Sequence, residues 1–223
     1  MFVLGLETAT PHGSVAVVGP PGLLTESTAL VPMRHLEWLV PTVERVLADA
    51  GITRGQIEGL AVSQGPGGFT GLRIGIATAA AWARATGVPV IGISTLEALA
   101  ATTGAPGLVM PVLDAKRGEV AAALFRREDD QHLTRVREDT VLPPEMLGEL
   151  VPGGEPILLL GDGLARWPEV ILRAVPGGRP APPALWTPRA ALVAALGRER
   201  LLAGQRDDPY RLVPVYGRRP AVA

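Results

Sequence analysis

The 223 residues, 47% of them apolar and 19% charged, are enough for one large or two smaller domains and exclude a disordered chain or a coiled coil. The 21 basic and 22 acidic residues almost cancel, so the chain has no overall charge that favours nucleic acid, and any action on RNA is expected to need a partner. Cysteine and asparagine are both absent, which excludes disulfides and thiol catalysis and is typical of a heat-adapted organism or of a GC-rich genome.

The first half of the chain predicts a β-meander followed by alternating helices and strands. Apolar runs between turn residues predict strands at 2–7, 14–19, 23–28, 57–63 and 88–93. Glu7 breaks the first of these runs, and no run reaches the ~18 residues of a membrane span. We therefore expect a cytoplasmic protein without a signal peptide and without membrane contact.

Two longer helices are predicted in this half. The first has an apolar stripe at three- and four-residue steps and ends near Gly51. Its stripe consists of Leu36, Leu39, Val40, Val43, Val46, Leu47 and Ala50. The second helix runs over 72–86, and the sequence 94–97 is a capping box that opens a short third helix.

The second half repeats this mixture of elements. A hairpin is predicted from strands 108–114 and 119–125, followed by a polar strand near 133–141 and a strand at 156–161. Helices are predicted near 143–150, 164–175 and 188–203. The proline-rich stretch 176–183 is expected to be irregular, and the tail 208–220 to be extended.

Turn residues cluster at 102–107, and we place a boundary between two lobes there. The predicted class is mixed α/β, with two similar lobes at 1–103 and 104–223. The last helix and the tail could pack against the first lobe instead of the second.

A glycine-rich loop precedes the second helix and contains Gly65, Pro66, Gly67, Phe69, Thr70 and Gly71. It follows a strand and opens a helix, as phosphate-binding loops do. However, it lacks the lysine of a Walker A loop and the third glycine of a dinucleotide fingerprint. A tight turn with close backbone packing is therefore favoured over an anion cradle.

An acid ends the first strand of each predicted lobe. Glu7 is followed by the hydroxyl residues Thr8 and Thr10, and Asp114 has the corresponding place in the second half. Such turns can bind Mg²⁺ and phosphate, so the two acids could face one cleft. That they only cap strand ends is an equally good interpretation.

Other catalytic patterns are weak. The three histidines, His12, His35 and His132, include no pair at the i, i+4 spacing of a metal site. No serine lies in a G-x-S-x-G elbow. We therefore expect neither a metal centre nor a peptidase.

The segment 72–83 suggests a subunit interface. Only Arg73 and Thr78 are polar in it, so the helix is apolar on every side and is expected to be covered on every side. Trp38 lies off the apolar stripe of the preceding helix and is expected to be exposed beside it. A neighbouring subunit is favoured over another helix of the same chain as the cover.

These residues resemble the TsaB (YeaZ) family of tRNA threonylcarbamoyladenosine biosynthesis subunits. The resemblance lies in VLGLETAT, GPGGFTGLRIGIATAAAWA, STLEAL, LDAKRGEV and LLLGDGL, which span residues 1 to about 163. It implies a two-lobed actin/hexokinase-like (ASKHA) fold in which each lobe is a mixed sheet flanked by helices.

The resemblance also implies a non-catalytic scaffold. The family pairs with its catalytic paralogue TsaD, the ATPase TsaE joins them, and tRNA is reached only through the complex. Helices at about 34–50 and 72–86 would pack against those of TsaD, or of a second copy in a homodimer. The implied interface residues are His35, Trp38, Leu39, Arg73, Ile76, Ala79, Ala80 and Ala83.

Some alternatives stay open at this point. Glu7 stands where the family usually has aspartate, which weakens a nucleotide or magnesium role for Glu7, Thr8, Thr10 and Asp114, and we expect no cofactor. An ATP-dependent enzyme of the same superfamily and a glycoprotease-like peptidase are the competing functions. Direct tRNA contact would use the arginines near the C-terminus, although interspersed acids favour a solvated face. These arginines are Arg198, Arg200, Arg206, Arg211, Arg218 and Arg219.

Overall fold

The computed structural model describes residues 1–129 and 132–217, and its first sheet begins with the predicted meander. Strands β1 (Val3–Glu7), β2 (His12–Gly19) and β3 (Gly22–Leu30) are antiparallel neighbours. Strand β4 (Gly59–Gly65) lies parallel to β1, and β5 (Val90–Ser94) lies parallel to β4. The resulting order is β3-β2-β1-β4-β5.

The second sheet repeats this arrangement. Strands β6 (Gly107–Lys116), β7 (Glu119–Arg127) and β8 (Leu133–Leu142) form the antiparallel part, which confirms the predicted hairpin. Strands β9 (Ile157–Leu160) and β10 (Gly178–Pro180) add in parallel beside β6. The order β10-β9-β6-β7-β8 is the first order repeated, which confirms two similar halves in the mixed α/β class.

Six α-helices accompany the described strands. They are α1 (His35–Asp49), α2 (Phe69–Thr86), α3 (Thr95–Ala100), α4 (Gly163–Arg166), α5 (Pro168–Ala174) and α6 (Ala190–Leu202). Gly51 has a left-handed φ of 67° just after α1, as the predicted helix end requires. Ser94 accepts a hydrogen bond from the Glu97 amide at the start of α3.

The helix predicted near 143–150 is present as a 3₁₀ helix, Pro144–Leu150. Two other local predictions are wrong. The helix predicted at 164–175 is divided into α4 and α5, because Pro168 has no amide hydrogen and Trp167 before it is not helical. The stretch 176–183 contains β10, where Pro180 is tolerated because β10 is an edge strand.

The described residues divide into two compact units. The first combines Met1–Ala98 with Arg189–Val215, and the second is built on Leu99–Pro188. The first segment of the first unit thus ends at Ala98, a few residues before the boundary predicted between 103 and 104. The first unit also includes α6.

Helices cover both faces of the first sheet. Leu4, Leu6 and Val62 face a core shared with α1 and α2. On the other face, Val3 and Ala61 pack with Val193 and Ala194 of α6. The apolar run of β1 reflects this two-sided burial.

Helix α6 is held at its first turn by side chains of the sheet. The Ala190 amide donates to Ser14 Oγ at 3.1 Å, and the Ala191 amide donates to Glu26 Oε1 at 3.0 Å. Arg189 pairs with the other oxygen of Glu26. These contacts replace the helix cap that Arg189 does not supply.

Residues 205–215, which we name the C-terminal strap, cover the β5 edge. The Asp207 amide donates to the Val90 carbonyl at 2.8 Å, and its carboxylate accepts the Gly92 amide at 2.7 Å. Leu212 then enters the core, and the Val215 amide donates to the Gln64 carbonyl. The prediction of an extended tail at 208–220 is wrong at its start, because residues 208–212 form a turn in which the Leu212 amide donates to the Asp208 carbonyl at 3.0 Å. Residues 218–220 lie outside the described part. Within that part, no helix is both long and apolar enough to cross a membrane.

Candidate functional site

The apolar stripe of α1 is wider than the surface that its own chain covers. Leu39, Val43, Val46 and Leu47 are buried, as predicted. Leu36 is 73% exposed and Val40 52% exposed, although both belong to the same predicted stripe. The helix is rotated so that Thr42 is buried instead. One apolar edge of α1 therefore remains in solvent.

Helix α2 is divided between a buried and an exposed face. Leu72, Ile76, Ala79 and Ala83 face the interior of the first unit. Phe69, Arg73, Ala77, Ala81 and Arg84 are exposed at three- and four-residue steps along the opposite side. The expectation that its own chain would not cover this helix on every side agrees with the structure.

The exposed apolar residues of the two helices lie on elements that pack against each other. We name this surface the outer face, and it consists of Met33, Leu36, Val40, Phe69, Ala77 and Ala81. Met33 is 89% exposed with a left-handed φ of 62°, and Phe69 is 53% exposed. Arg73 stacks on Phe69, with its guanidinium carbon 3.8 Å from the ring centroid. Large apolar side chains concentrated in this way mark interaction surfaces.

Most of the residues implied for the interface are placed elsewhere. Leu39, Ile76, Ala79, Ala80 and Ala83 are buried within their own chain, so they support the helices instead of forming a contact surface. His35 is also buried. Trp38 is not the exposed side chain expected, because it packs over Gly13 of β2 and is half-buried. Arg73 alone of this set is exposed.

Sequence reasoning missed Met33, Leu36, Val40 and Phe69. Leu36 and Val40 mark one edge of the stripe, and an edge residue is the first to lose cover if a helix is rotated. The sequence pattern places Phe69 in the loop, because the glycines around it mask the start of α2. Met33 precedes α1 and had no helical neighbour in the pattern.

The acid-tipped turn of the first unit is closed. Glu7 Oε1 accepts the Ala9 amide at 2.6 Å, and its other oxygen accepts the Ser63 hydroxyl. The carboxyl is fully buried, and burial raises the pKa of Glu7 from 4.5 to about 7, against the opposing effect of those two hydrogen bonds. Both carboxyl oxygens of Glu7 are therefore engaged by hydrogen bonds within the chain.

The glycine loop packs directly on this turn. A Cβ atom at Gly71 would lie 2.0 Å from the Thr8 carbonyl oxygen, and one at Gly67 would lie 2.5 Å from that of Ala9. The Gly68 amide donates to the Ala9 carbonyl at 2.7 Å, and Thr8 Oγ1 donates to the Gly71 carbonyl at 2.8 Å. Backbone therefore fills the space beside the loop, and the expected close packing is what the glycines permit.

Thr10 and His35 complete this region. Thr10 Oγ1 accepts the His12 amide at 3.3 Å within the turn. Burial lowers the pKa of His35, partly offset by backbone hydrogen bonds at Thr10 and His12. Nε2 of His35 has no hydrogen-bond partner among the described residues. The imidazole is therefore neutral at pH 7 and fills space beside α2.

Asp114 lies two residues before the end of the corresponding strand of the second unit, in a different environment. Its carboxylate accepts Lys116 Nζ at 2.7 Å, and Arg166 lies 3.5 Å away. Burial opposes ionisation, but the hydrogen bonds and charge of Lys116, with Arg166, outweigh it, so the pKa of Asp114 lies below its usual value. The joint role of Glu7, Thr8, Thr10 and Asp114 as a nucleotide site stays a prediction. In residues 1–129 and 132–217, no group of three His, Cys, Asp or Glu side chains is arranged to hold a metal ion.

The C-terminal arginines are largely engaged by the first unit itself. Arg200 pairs with Glu97, Arg198 donates to the Met1 carbonyl at 3.0 Å, and Arg211 lies 3.6 Å from Asp208. Arg218 and Arg219 lie outside the described residues.

Comparison with solved structures identifies the fold class. A strand order repeated in two units, with helices on the sheets, defines the actin- and hexokinase-like (ASKHA) class. A hexokinase of the ROK type from Thermus thermophilus superposes with a TM-score of 0.52 at 16% identity, over 91% of this chain and all of that one. YeaZ from Pseudomonas aeruginosa superposes with a TM-score of 0.83 at 24% identity, over 96% of this chain and 99% of that one.

Sequence comparison then gives the family. A model described as TsaD, tRNA N6-adenosine threonylcarbamoyltransferase, matches residues 29–166. The tRNA threonylcarbamoyladenosine biosynthesis protein TsaB of Escherichia coli is 34% identical over 175 residues, which cover 76% of this chain and 75% of that protein. The chain belongs to the TsaB (YeaZ) family of tRNA threonylcarbamoyladenosine biosynthesis proteins.

Proposed function

We propose that this chain is a non-catalytic subunit of the tRNA threonylcarbamoyladenosine-forming machinery and docks on the catalytic subunit TsaD through its outer face. The observation that carries the proposal is the exposure of Leu36, Val40 and Phe69 on two helices whose opposite sides are buried. The E. coli relative TsaB is named for tRNA threonylcarbamoyladenosine biosynthesis, and the family model that matches this chain is described as TsaD. TsaD is therefore the partner that we propose.

The shape of the outer face suits helix packing. The exposed side of α2 carries the small residues Ala77 and Ala81, and the exposed edge of α1, a helix that packs against α2, carries the larger Leu36 and Val40. Small side chains allow a partner helix to approach closely, since the distance between helix axes depends on the side chains at the contact. Burying the larger side chains there removes apolar area from water, which favours association.

The non-catalytic role is supported by the hydrogen bonds and ion pairs that already engage the carboxyl and hydroxyl groups that could react. Both oxygens of Glu7 are engaged, and Ser63 is buried against it. Asp114 is paired with Lys116 and Arg166. Catalysis then belongs to TsaD.

The same proposal includes the oligomeric state, the further partners and the location of the protein. When TsaD is absent, a second copy covers the outer face and gives a homodimer. TsaE joins the complex as the ATPase, and tRNA is reached through the complex in the cytoplasm.

A charge on the outer face tests the proposal. Leu36→Asp removes an exposed apolar contact without touching the core, so the variant should fold and should bind TsaD of the source organism at least tenfold more weakly. Sedimentation of the mixed proteins gives the affinity, and sedimentation of the chain alone should show loss of the homodimer.

Leu23→Asp is the matched control, since Leu23 is an exposed leucine of β3 that does not belong to the outer face. It should bind TsaD as the unchanged chain does. Undiminished binding of Leu36→Asp would contradict the proposal.

A further inference from the structure

The outer face is small for a stable contact between subunits. It consists of six residues, of which Ala77 and Ala81 offer only a methyl group each. A stable interface takes about 20–30 residues from each partner. A partner docked on the outer face must therefore also cover exposed surface that borders it.

Helix α2 connects the outer face to the C-terminal strap. Arg84 follows Ala81 by one turn on the exposed side of α2. Its Nε and Nη2 donate to the Pro209 carbonyl at 3.1 and 2.6 Å, and its guanidinium carbon lies 4.7 Å from the centroid of the Tyr210 ring. The exposed side of α2 is therefore continuous with the strap at Arg84.

The strap presents a large aromatic side chain at this border. Tyr210 is 75% exposed, and Val213, three residues further on, is 61% exposed. Tyrosine and arginine are among the residues that most often dominate the binding energy of an interface. Tyr210 and Arg84 together therefore have the composition of an interface anchor.

The two ends of the exposed side of α2 resemble each other. Arg73 stacks on Phe69 near the start of the helix, and Arg84 stacks on Tyr210 near its end. Between them this side carries the small Ala77 and Ala81. A helix packed over the alanines would meet an aromatic ring at each end.

Tyr210 is held in a defined position although it is exposed. Its amide donates to Asp208 Oδ1 at 2.8 Å, and the Leu212 amide donates to the Asp208 carbonyl at 3.0 Å. Leu212 anchors this turn in the core of the first unit. A side chain that is ordered before binding loses less conformational entropy when a partner covers it.

We propose that the strap is the second half of the surface that docks on TsaD, with Tyr210 as its anchor. This inference rests on the proposed function, because it extends the outer face across Arg84 onto the strap. The partner should offer an apolar recess for the Tyr210 ring and a hydrogen-bond acceptor for its hydroxyl, which needs one when buried.

Removal of the ring tests the anchor. Tyr210→Ala in the full chain should bind TsaD of the source organism at least tenfold more weakly, as measured by sedimentation of the mixed proteins. A urea titration establishes that this exposed-site variant is folded. Tyr210→Phe keeps the ring that stacks on Arg84, so it should be weakened less than Tyr210→Ala.

Leu23→Ala is the matched control for the loss of an exposed apolar side chain. Leu23 is 51% exposed and lies on β3, at the opposite edge of the sheet from the β5 edge that the strap covers. This variant should bind TsaD as the unchanged chain does.

The outcomes separate this inference from the docking proposal. Unchanged binding of Tyr210→Ala together with weakened binding of Leu36→Asp overturns the role of the strap and leaves the outer face in place. Weakened binding of Tyr210→Ala together with unchanged binding of Leu36→Asp refutes the outer face instead.

Nucleic acid is the other occupant that an exposed tyrosine beside an arginine suits, because bases stack on aromatic rings. Retention of an unmodified tRNA transcript by the complex with TsaD distinguishes the two. If Tyr210→Ala binds TsaD normally but its complex retains the transcript less well, the strap is an RNA surface and the proposal is wrong.

Discussion

Glu7 gives the stability of the fold a pH dependence of unusual sign for a carboxylic acid. Its folded-state pKa of about 7 lies above the ordinary value of 4.5, so the folded state binds the proton more tightly than the unfolded state. The stabilisation is fully present below pH 4.5 and is lost as pH rises to about 7. Carboxylates in ion pairs, such as Asp114, act in the opposite direction.

The size of this effect is measurable by chemical denaturation. We expect the unchanged chain to lose about 3 kcal/mol more unfolding free energy between pH 5 and pH 8 than Glu7→Gln does. Urea titrations at the two pH values give the difference. Equal losses in the two proteins would show that another group dominates this pH range.

A single glycine of α2 provides a second test at the residue scale. Replacing a helical glycine by alanine normally stabilises a protein by roughly 0.5–1 kcal/mol. At Gly71 the added Cβ would meet the Thr8 carbonyl, so Gly71→Ala should instead destabilise by about 1–3 kcal/mol.

Gly55→Ala is the matched control for that substitution. Gly55 lies in the 3₁₀ helix Arg54–Gln56 with open space around its Cβ position, and the variant should be neutral or slightly stabilised. Thermal unfolding of both variants compares them. A stabilised Gly71→Ala would contradict the close contact between α2 and the β1–β2 turn.

At the scale of the elements, spacing predicted which segments form helices but not how they are rotated. The stripe of α1 predicted the burial of Leu39, Val43 and Val46 correctly. It could not show that Thr42 would be buried and Leu36 exposed, because that depends on where α2 packs. The same limit explains why buried residues of α2 were assigned to a surface: an all-apolar helix has no polar side to mark its outer face.

Local chemistry also set limits on what could be predicted. The sequence pattern predicts Pro168 inside one helix, whereas Pro168 begins a new helix. The three-residue β10 exists only because β9 supplies its hydrogen bonds, and such long-range pairing leaves little trace in a proline-rich sequence. The glycine loop, by contrast, was correctly associated with close packing, since seven residues with four glycines have few other uses.

At the scale of the molecule, two similar halves were predictable because each begins with antiparallel strands and has an acid toward the end of its first strand. The return of α6 to the first unit has no local signal. It depends on contacts made far along the chain, such as that of Ala191 with Glu26.

The C-terminal strap should contribute to the stability of the first unit through Leu212. This side chain is only 8% exposed and belongs to the core beneath α1 and α2. Leu212→Ala should lower the unfolding free energy by about 2 kcal/mol or more, as measured by urea titration. Val213→Ala, at a 61% exposed neighbour, should change it by less than about 0.5 kcal/mol. Similar losses in the two variants would contradict the placement of Leu212.

The discontinuity of the first unit has a consequence for synthesis on the ribosome. Residues 99–188 can emerge and fold as a block, while the earlier sheet still lacks α6 and the strap that covers its β5 edge. Until residue 215 has left the exit tunnel, the face of that sheet that α6 covers stays partly exposed. A nascent chain stalled before α6 should therefore be a better substrate for chaperones and proteases than one released a few dozen residues later.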